Sequence, residues 1–292
     1  MNILYTSDDN YAEICGISIV SLLENNKNSN NIKFFIFDMG LSYENKNRIS
    51  KIVERYSREV RFIRVPDIEK IVGAKLYVGS WTLAVFARLF AASLLPANIE
   101  KIIHLDADTM VRRSISPLWN GNLNGNLVGG CKDGLPVSHK KSIFLEETDI
   151  YVNAGVLLID LKAWRNANIE KAFIDFLRLF NGKLGYLDQD VINAVLKGRL
   201  KLFAPKYNSL SYYYEYNPNL LTFANIKDYY SNTELREAKY SPVIVHFAGI
   251  ADEVKPWIKG NIHVFRDEYI KYRNITPWKH MPLRASISRN MT

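Results

Sequence analysis

The sequence has only two cysteines, no glycine-rich phosphate loop, no basic leader and no long uncharged apolar run. Each absence excludes something. Cys15 and Cys131, one in a helix-like and one in a strand-like segment, make no disulfide framework and fit a reducing, cytoplasmic setting. Neither the dinucleotide fingerprint nor the Walker A pattern follows the first strand, which disfavours a nicotinamide dehydrogenase or a phosphate-loop ATPase. The opening MNILYTSDDNY meets acids where a secretory signal needs basic and then apolar residues. The stretch from Leu76 to Ile99, charged only at Arg88, contains Gly, Ser, Pro and Asn and reads as a buried helix with loops, not a membrane span. No internal repeat or low-complexity linker precedes the tail.

What remains is a globular chain: 292 residues, 48% hydrophobic and 23% charged. The net charge is +8, and its location matters more than its size. From Lys259 onward seven Lys or Arg face two acids, interspersed with Tyr269, Tyr272 and Trp278. Basic residues mixed with aromatics predict peripheral attachment to an anionic membrane surface ahead of nucleic acid, for which no binding module is visible. A terminal helix with an ordinary solvated face is the plainer alternative.

The first hundred residues alternate strand and helix. NILYTS, IKFFIFDMG and REVRFIRV read as strands; YAEICGISIVSLLENN and SYENKNRISKIVERYS read as helices, the second capped by Ser42. TLAVFARLFAASLL reads as an apolar helix and IIHLDAD as the next strand. This rhythm predicts an α/β fold: a mainly parallel, Rossmann-like sheet with helices on both faces. Further on, LVGGCKD, YVNAGVLLIDL and VIVHFAG read as strands, the last in the core, while IEKAFIDFLRLF and DQDVINAVLKG read as helices. The tyrosine-rich YNSLSYYYEYNPNLL shows no period and reads as loop. The basic tail reads as helical.

Ligands of such sheets gather at the carboxyl ends of strands. Asp106 and Asp108 sit at one such end, separated by Ala107. In an extended chain alternate residues share a face, so the two carboxylates point the same way and repel unless a cation or proton lies between them. Two solvated acids in a strand-to-loop turn are the bland alternative. His246 ends the apolar run VIV and, with two Asp, would make a mixed nitrogen and oxygen site suited to Mn²⁺. In TSDDNY an Asp can accept a base N–H and Tyr11 can stack on a base, although an Asx-type cap explains the same residues. Asp188, Gln189 and Asp190 open a helix, where acids complement the dipole. Asn153 lies amid apolar neighbours and is either bonded in the core or facing a ligand. Arg88 either snorkels from its helix or reaches an anion.

Taken in order, TSDDNY, ARL, LDAD, NAGVLLIDL, LDQD and HFAG…KPW resemble glycosyltransferase family 8 across residues 2 to about 257. The resemblance implies that the sheet is nucleotide-binding, in a single GT-A-type catalytic domain over residues 1–258, with 259–292 as an appended tail. It implies transfer of galactose or glucose from a UDP-hexose to a glycan or lipid-linked glycan, as in lipopolysaccharide synthesis, with retention of configuration. Asp106, Asp108 and His246 would hold Mn²⁺, with Mg²⁺ as a substitute. Thr6, Asp8, Asn10, Tyr11 and Ala107 would hold the nucleoside, and Lys255 the diphosphate. Arg88, Asn153, Ala154, Asp188 and Gln189 would surround the donor sugar, and Gly249 would line the same site. Gln189 is a poor nucleophile, so same-face attack by the acceptor hydroxyl is the expected route. The family pattern H-x-x-G-x-x-K-P-W is stretched here, because IADEV separates Gly249 from Lys255. Residues 66–80 show no motif and are expected to shape the acceptor site. The rivals are a sugar-nucleotide-binding protein without turnover, and a haloacid-dehalogenase-type phosphatase, whose motif expects Thr or Val where Met110 stands.

Overall fold

The computed structural model describes residues 1–29, 31–215, 229–249 and 252–286. Ten strands occur among them: β1 (Asn2–Ser7), β2 (Lys33–Asp38), β3 (Glu59–Arg64), β4 (Lys101–Leu105), β5 (Thr109–Val111), β6 (Val128–Lys132), β7 (Val152–Asp160), β8 (Leu200–Leu202), β9 (Ser209–Leu210) and β10 (Ile244–His246). Seven form the central sheet in the order β3-β2-β1-β4-β7-β6-β8. The β1–β2, β2–β3, β1–β4 and β6–β8 pairs are parallel, whereas β7 runs antiparallel to β4 and β6. The sheet is therefore mostly parallel, as the alternating pattern predicts.

Strand side chains feed two cores, one on each face. Ile3, Tyr5, Ile103 and Leu105 pack on one side with α1 (Ala12–Asn25) and α2 (Tyr43–Arg55). Leu4 and Ile102 pack on the other with α3 (Ile169–Leu179) and α4 (Leu187–Val195). Both faces are thus dry, which is what near-continuous apolar strands require. Ser42 caps α2, its hydroxyl accepting the Asn45 N–H at 3.2 Å. Ser42→Ala is expected to destabilise the fold by about 1 kcal/mol, since one helix-end N–H loses its partner. Urea denaturation checks this, and an unchanged midpoint would count against it.

Several expectations are corrected. TLAVFARLFAASLL is not one α-helix but a 3₁₀ segment, Leu83–Phe90, followed by a short α turn, Ala91–Leu94. Burial of five successive residues, Phe86 to Phe90, leaves no solvent face of the kind an amphipathic helix keeps. VIVHFAG does contain a strand, but β10 lies outside the central sheet, in a three-stranded sheet ordered β5-β10-β9. The tyrosine-rich stretch supplies β9 and a short helix, Tyr212–Glu215, while its residues 216–221 lie outside the described residues.

The tail is corrected most. Its helix α5 (Arg266–Asn274) lies on α1, with Arg273 paired to Glu13 at 2.7 Å. Tyr269 and Trp278 are buried, and Trp278 lies so close to Gly16 that a β-carbon there would sit 2.4 Å from its ring. These aromatics pack the protein interior and are not presented to a membrane. Among the described residues no helix is long and apolar enough to cross a membrane.

Candidate functional site

Strand order reverses direction beside β1, between β1 and β4, and crevices at such switch points are where open α/β sheets bind ligands. β1 ends there in Thr6-Ser7-Asp8, and β4 in Asp106-Ala107-Asp108. Because β7 is antiparallel, its opening residues Asn153 and Ala154 reach the same edge. β6 runs antiparallel to β7, so its exit, Asp133, arrives there too.

The aspartates do not continue the strand. The chain turns at Ala107 and Asp108, and the Thr109 N–H and hydroxyl bond the Asp106 carbonyl at 3.2 and 2.8 Å. A turn, not strand alternation, brings the carboxylates together. The register His246↔Thr109 in the β5–β10 pair then sets the imidazole beside them. His246 Nε2 lies 3.3 Å from Asp108 Oδ1 and 3.7 Å from Asp106 Oδ2. One donor atom from each of the three residues falls within 4.8 Å of the others. The other ring nitrogen, Nδ1, lies 3.0 Å from Asn208 Oδ1, and Asn208 Nδ2 donates to Asn153 Oδ1 at 2.8 Å. Gly155 makes this packing possible, because a β-carbon there would meet the imidazole at 2.1 Å.

Charge at this turn is strongly biased. Burial pushes the Asp108 carboxyl up, but His246 and Lys255 outweigh it and hold it at about 2. Burial likewise opposes protonation of His246, yet Asp108 and Asp106 raise it overall. Two carboxylates and an imidazole in van der Waals reach form a donor set that fits a divalent ion accepting both nitrogen and oxygen.

Arg88 neither snorkels nor points at an external anion. It is 4% exposed, and its guanidinium contacts Asp106 at 2.7 Å, Asp188 at 2.9 Å and the Ala154 carbonyl at 2.6 Å. It ties Asp106, at the end of β4, to Asp188 in the first turn of α4. Asp188 follows Leu187, whose φ of +51° is a left-handed conformation unusual for leucine. Burial, with Asp106 and Asp190 nearby, raises the Asp188 carboxyl to about 7 against the pull of Arg88. Among the described residues its buried Oδ2 accepts no hydrogen bond, the Arg88 contact being one of charge without bond alignment. Thr6 Oγ1, at the end of β1, is buried and unbonded as well.

Gln189 is fully engaged: its Oε1 accepts the Ala154 N–H at 3.0 Å, and its Nε2 donates to Asp133 at 3.1 Å and lies 3.3 Å from the Tyr151 hydroxyl. Asn153 also donates to Asp133, at 2.9 Å, so it is bonded within the protein. Asp8 forms the Asx turn, its Oδ1 accepting the Tyr11 N–H at 2.9 Å, which leaves the second oxygen uncommitted to that turn. Asn10 is exposed, Tyr11 is 37% exposed, and Ala107 is buried between the two acids. Gly249 adopts φ +116°, which a residue with a side chain rarely does. Lys255 lies near enough to lower Asp108, with its ammonium 5.1 Å from the centre of the Trp257 ring, whereas residues 250 and 251 of its loop lie outside the described residues.

Sequence reasoning missed Asp133 and Asn208. Asp133 ends the strand LVGGCKD, so the strand-end rule that found Asp106 applies to it equally. Asn208 sits in the aperiodic tyrosine-rich stretch and carries no signal. Beside α4 opens a groove of about 400 Å³ lined by Tyr77, Trp81, Lys183, Gly185 and Leu187. Tyr77 and Trp81 are 46% and 48% exposed.

The family model described as Glycosyl transferase family 8 matches residues 2–260. General stress protein A of Bacillus subtilis (strain 168) is 28% identical over 281 residues, covering 95% of this chain and 94% of its own. The lipopolysaccharide 1,2-glucosyltransferase of Escherichia coli (strain K12) is 29% identical over 286 residues, covering 96% of this chain and 79% of its own. The crystal structure of the galactosyltransferase LgtC in complex with donor and acceptor sugar analogs superposes with a TM-score of 0.80 at 25% identity, over 95% of this chain and 96% of the other. The chain belongs to glycosyl transferase family 8, with a GT-A fold, and is an enzyme of sugar transfer.

Proposed function

We propose that the protein takes galactose or glucose from a UDP-hexose and joins it, with retention of configuration, to a hydroxyl of a cell-surface glycan such as lipopolysaccharide. The observation that carries this reading is the convergence of Asp106, Asp108 and His246 within 4.8 Å at the switch point of the sheet. These three residues would hold Mn²⁺, or Mg²⁺ in its place. Bound there, the ion would supply positive charge to the diphosphate as the bond to the sugar breaks. Lys255 adds its charge on the same side. Asp188 accepts a hydroxyl of the donor sugar, and Thr6, Asp8, Asn10 and Tyr11 receive the nucleoside. Gln189 keeps its carboxamide on Ala154 and Asp133, which fits a positioning role and not a nucleophile's. The acceptor hydroxyl then attacks from the face the phosphate leaves, passing its proton to a phosphate oxygen. A covalent sugar adduct trapped on any side chain and seen by mass spectrometry would overturn that route.

The groove beside Asp188 takes the acceptor, with Tyr77 and Trp81 as platforms for sugar rings. Two thiols, Cys15 and Cys131, both buried and unbridged, fit a cytoplasmic reaction. The test is a screen of UDP-hexoses with Mn²⁺, with and without chelator, scoring free UDP. Metal-dependent hydrolysis of UDP-galactose or UDP-glucose is expected. UDP binding without turnover of any UDP-hexose would favour the non-catalytic sugar-nucleotide-binding reading instead. Asn208→Ala removes the partner of His246 Nδ1 and is expected to weaken Mn²⁺ binding roughly 10–100-fold, as loss of an orienting partner does. Titration by paramagnetic relaxation checks it, and wild-type affinity would show that Asn208 does not orient the ring.

A further inference from the structure

The family match ends at residue 260, yet the chain beyond it returns to the cleft. After Trp278 locks onto Gly16, the segment runs back along the side of the fold to Arg284. The Arg284 backbone is tied to one wall: its N–H donates to the Trp257 carbonyl at 2.9 Å, and its carbonyl accepts the Lys259 N–H at 2.8 Å. Its side chain reaches the other wall, where the guanidinium bonds the Asn10 carbonyl and lies 5.9 Å from the centre of the Tyr11 ring. Ser286 adds a bond to Asp252 at 3.2 Å. Arg284 therefore spans the mouth between the loop carrying Lys255 and the loop carrying Tyr11. Among the described residues no carboxylate lies within ion-pair distance of it. A cation so placed, unneutralised and held from both sides, is not explained by packing alone.

We propose that Arg284 is a donor-binding residue, its guanidinium and the Tyr11 ring forming the two faces of a slot for the planar base of the nucleotide. A guanidinium is flat, delocalised and weakly hydrated, and it stacks on aromatic rings and bases. A base sandwiched between two planes needs them about 7 Å apart, twice an ordinary stacking distance of ~3.5 Å. The guanidinium carbon lies 5.9 Å from the ring centre, so admitting a base requires the side chain to swing outward while its backbone stays anchored to Trp257 and Lys259. Arg284 thus belongs to the donor site, although it lies outside the stretch the family model matches.

This inference rests on the UDP-sugar reading above, and the experiment separates the two. Uridine and UDP are titrated calorimetrically, with Mn²⁺, into the full-length chain as wild type, Arg284→Ala and Arg284→Lys. Arg284→Ala is expected to weaken uridine and UDP by the same factor, roughly tenfold. The KM for the donor should rise in step. Arg284→Lys keeps the reach and charge but not the flat face, so it should recover only a small part of the loss. Equal binding by wild type and Arg284→Ala would overturn the slot. So would a loss confined to UDP with uridine unaffected, or full recovery by lysine, since each would assign Arg284 to phosphate charge. Failure of the wild type to bind UDP at all would strike the donor reading, not this one. The lysine variant keeps the test sound should the alanine variant fold poorly.

Discussion

Asp108→Asn is expected to lower kcat/KM for hydrolysis or transfer from the UDP-hexose by about 10³-fold or more, with the fold intact. The asparagine keeps the size and outline of the aspartate, so the change isolates charge. Its backbone carbonyl still accepts the Phe247 N–H, now at 2.9 Å, and the β5–β10 pairing that carries His246 is untouched. What is lost is one of two anionic donors in a set of three. A lone surface charge would matter little, but Asp108 is held at about 2 by His246 and Lys255 against its burial, so it is committed to the ionised form. On the proposed function, replacing a committed anion with a neutral amide would weaken cation binding and with it the stabilisation of the departing diphosphate. The measurement is steady-state release of UDP at saturating Mn²⁺, with circular dichroism as the control for folding. Retention of more than a tenth of wild-type turnover would remove Asp108 from the metal site.

Much of this site is legible in the sequence because its residues stand at the ends of apolar strands, and strand ends in a doubly covered sheet are where ligands meet protein. That rule locates Asp106, Asp108 and His246 without any coordinates. It does not give the device that joins them. Asp106 and Asp108 converge through a turn closed by Thr109, and His246 arrives through a register in a second, three-stranded sheet, both of which are long-range facts. Arg88 shows a second limit. A single charge in an apolar run marks a special residue, but the same signal suits snorkelling, ligand binding or an internal clamp, and only the positions of Asp106 and Asp188 decide among them. The tail shows a third. Tyr269 and Trp278 carry the composition of a membrane-facing helix, yet α1 offers Gly16 as a flat seat for the indole, so burial in the protein wins. Composition reports what a surface would contain if it were exposed, and packing decides whether it is.

Arg88→Met is the substitution with the largest expected effect on stability, about 3–5 kcal/mol at pH 8, because it strands the buried carboxylate of Asp188 and the half-buried one of Asp106. Methionine fills most of the space, and the apolar stem of arginine already supplied the packing, so lost burial explains little of the change. The lost terms are the contacts to Asp106 at 2.7 Å and Asp188 at 2.9 Å, and the bonds to the Ala154 and Val85 carbonyls. The pH dependence separates charge from packing. Burial raises Asp188 from 3.8 to about 7 even with Arg88 beside it. An acid with a raised folded pKa favours the native state fully below its unfolded value near 4, and that contribution is lost as pH rises through 7. Without Arg88 the folded value climbs further and the penalty grows toward alkaline pH. The Arg88→Met penalty, read from urea denaturation, should therefore be larger at pH 8 than at pH 5. Adding Asp188→Asn removes one stranded charge and should restore part of the loss at pH 8 while restoring little at pH 5. An equal penalty at both pH values, with no recovery in the double variant, would mean that Arg88 acts by shape and its hydrogen bonds to backbone carbonyls. The clamp would then contribute nothing by charge, and the join it makes between Asp106 and α4 would have to be explained by packing.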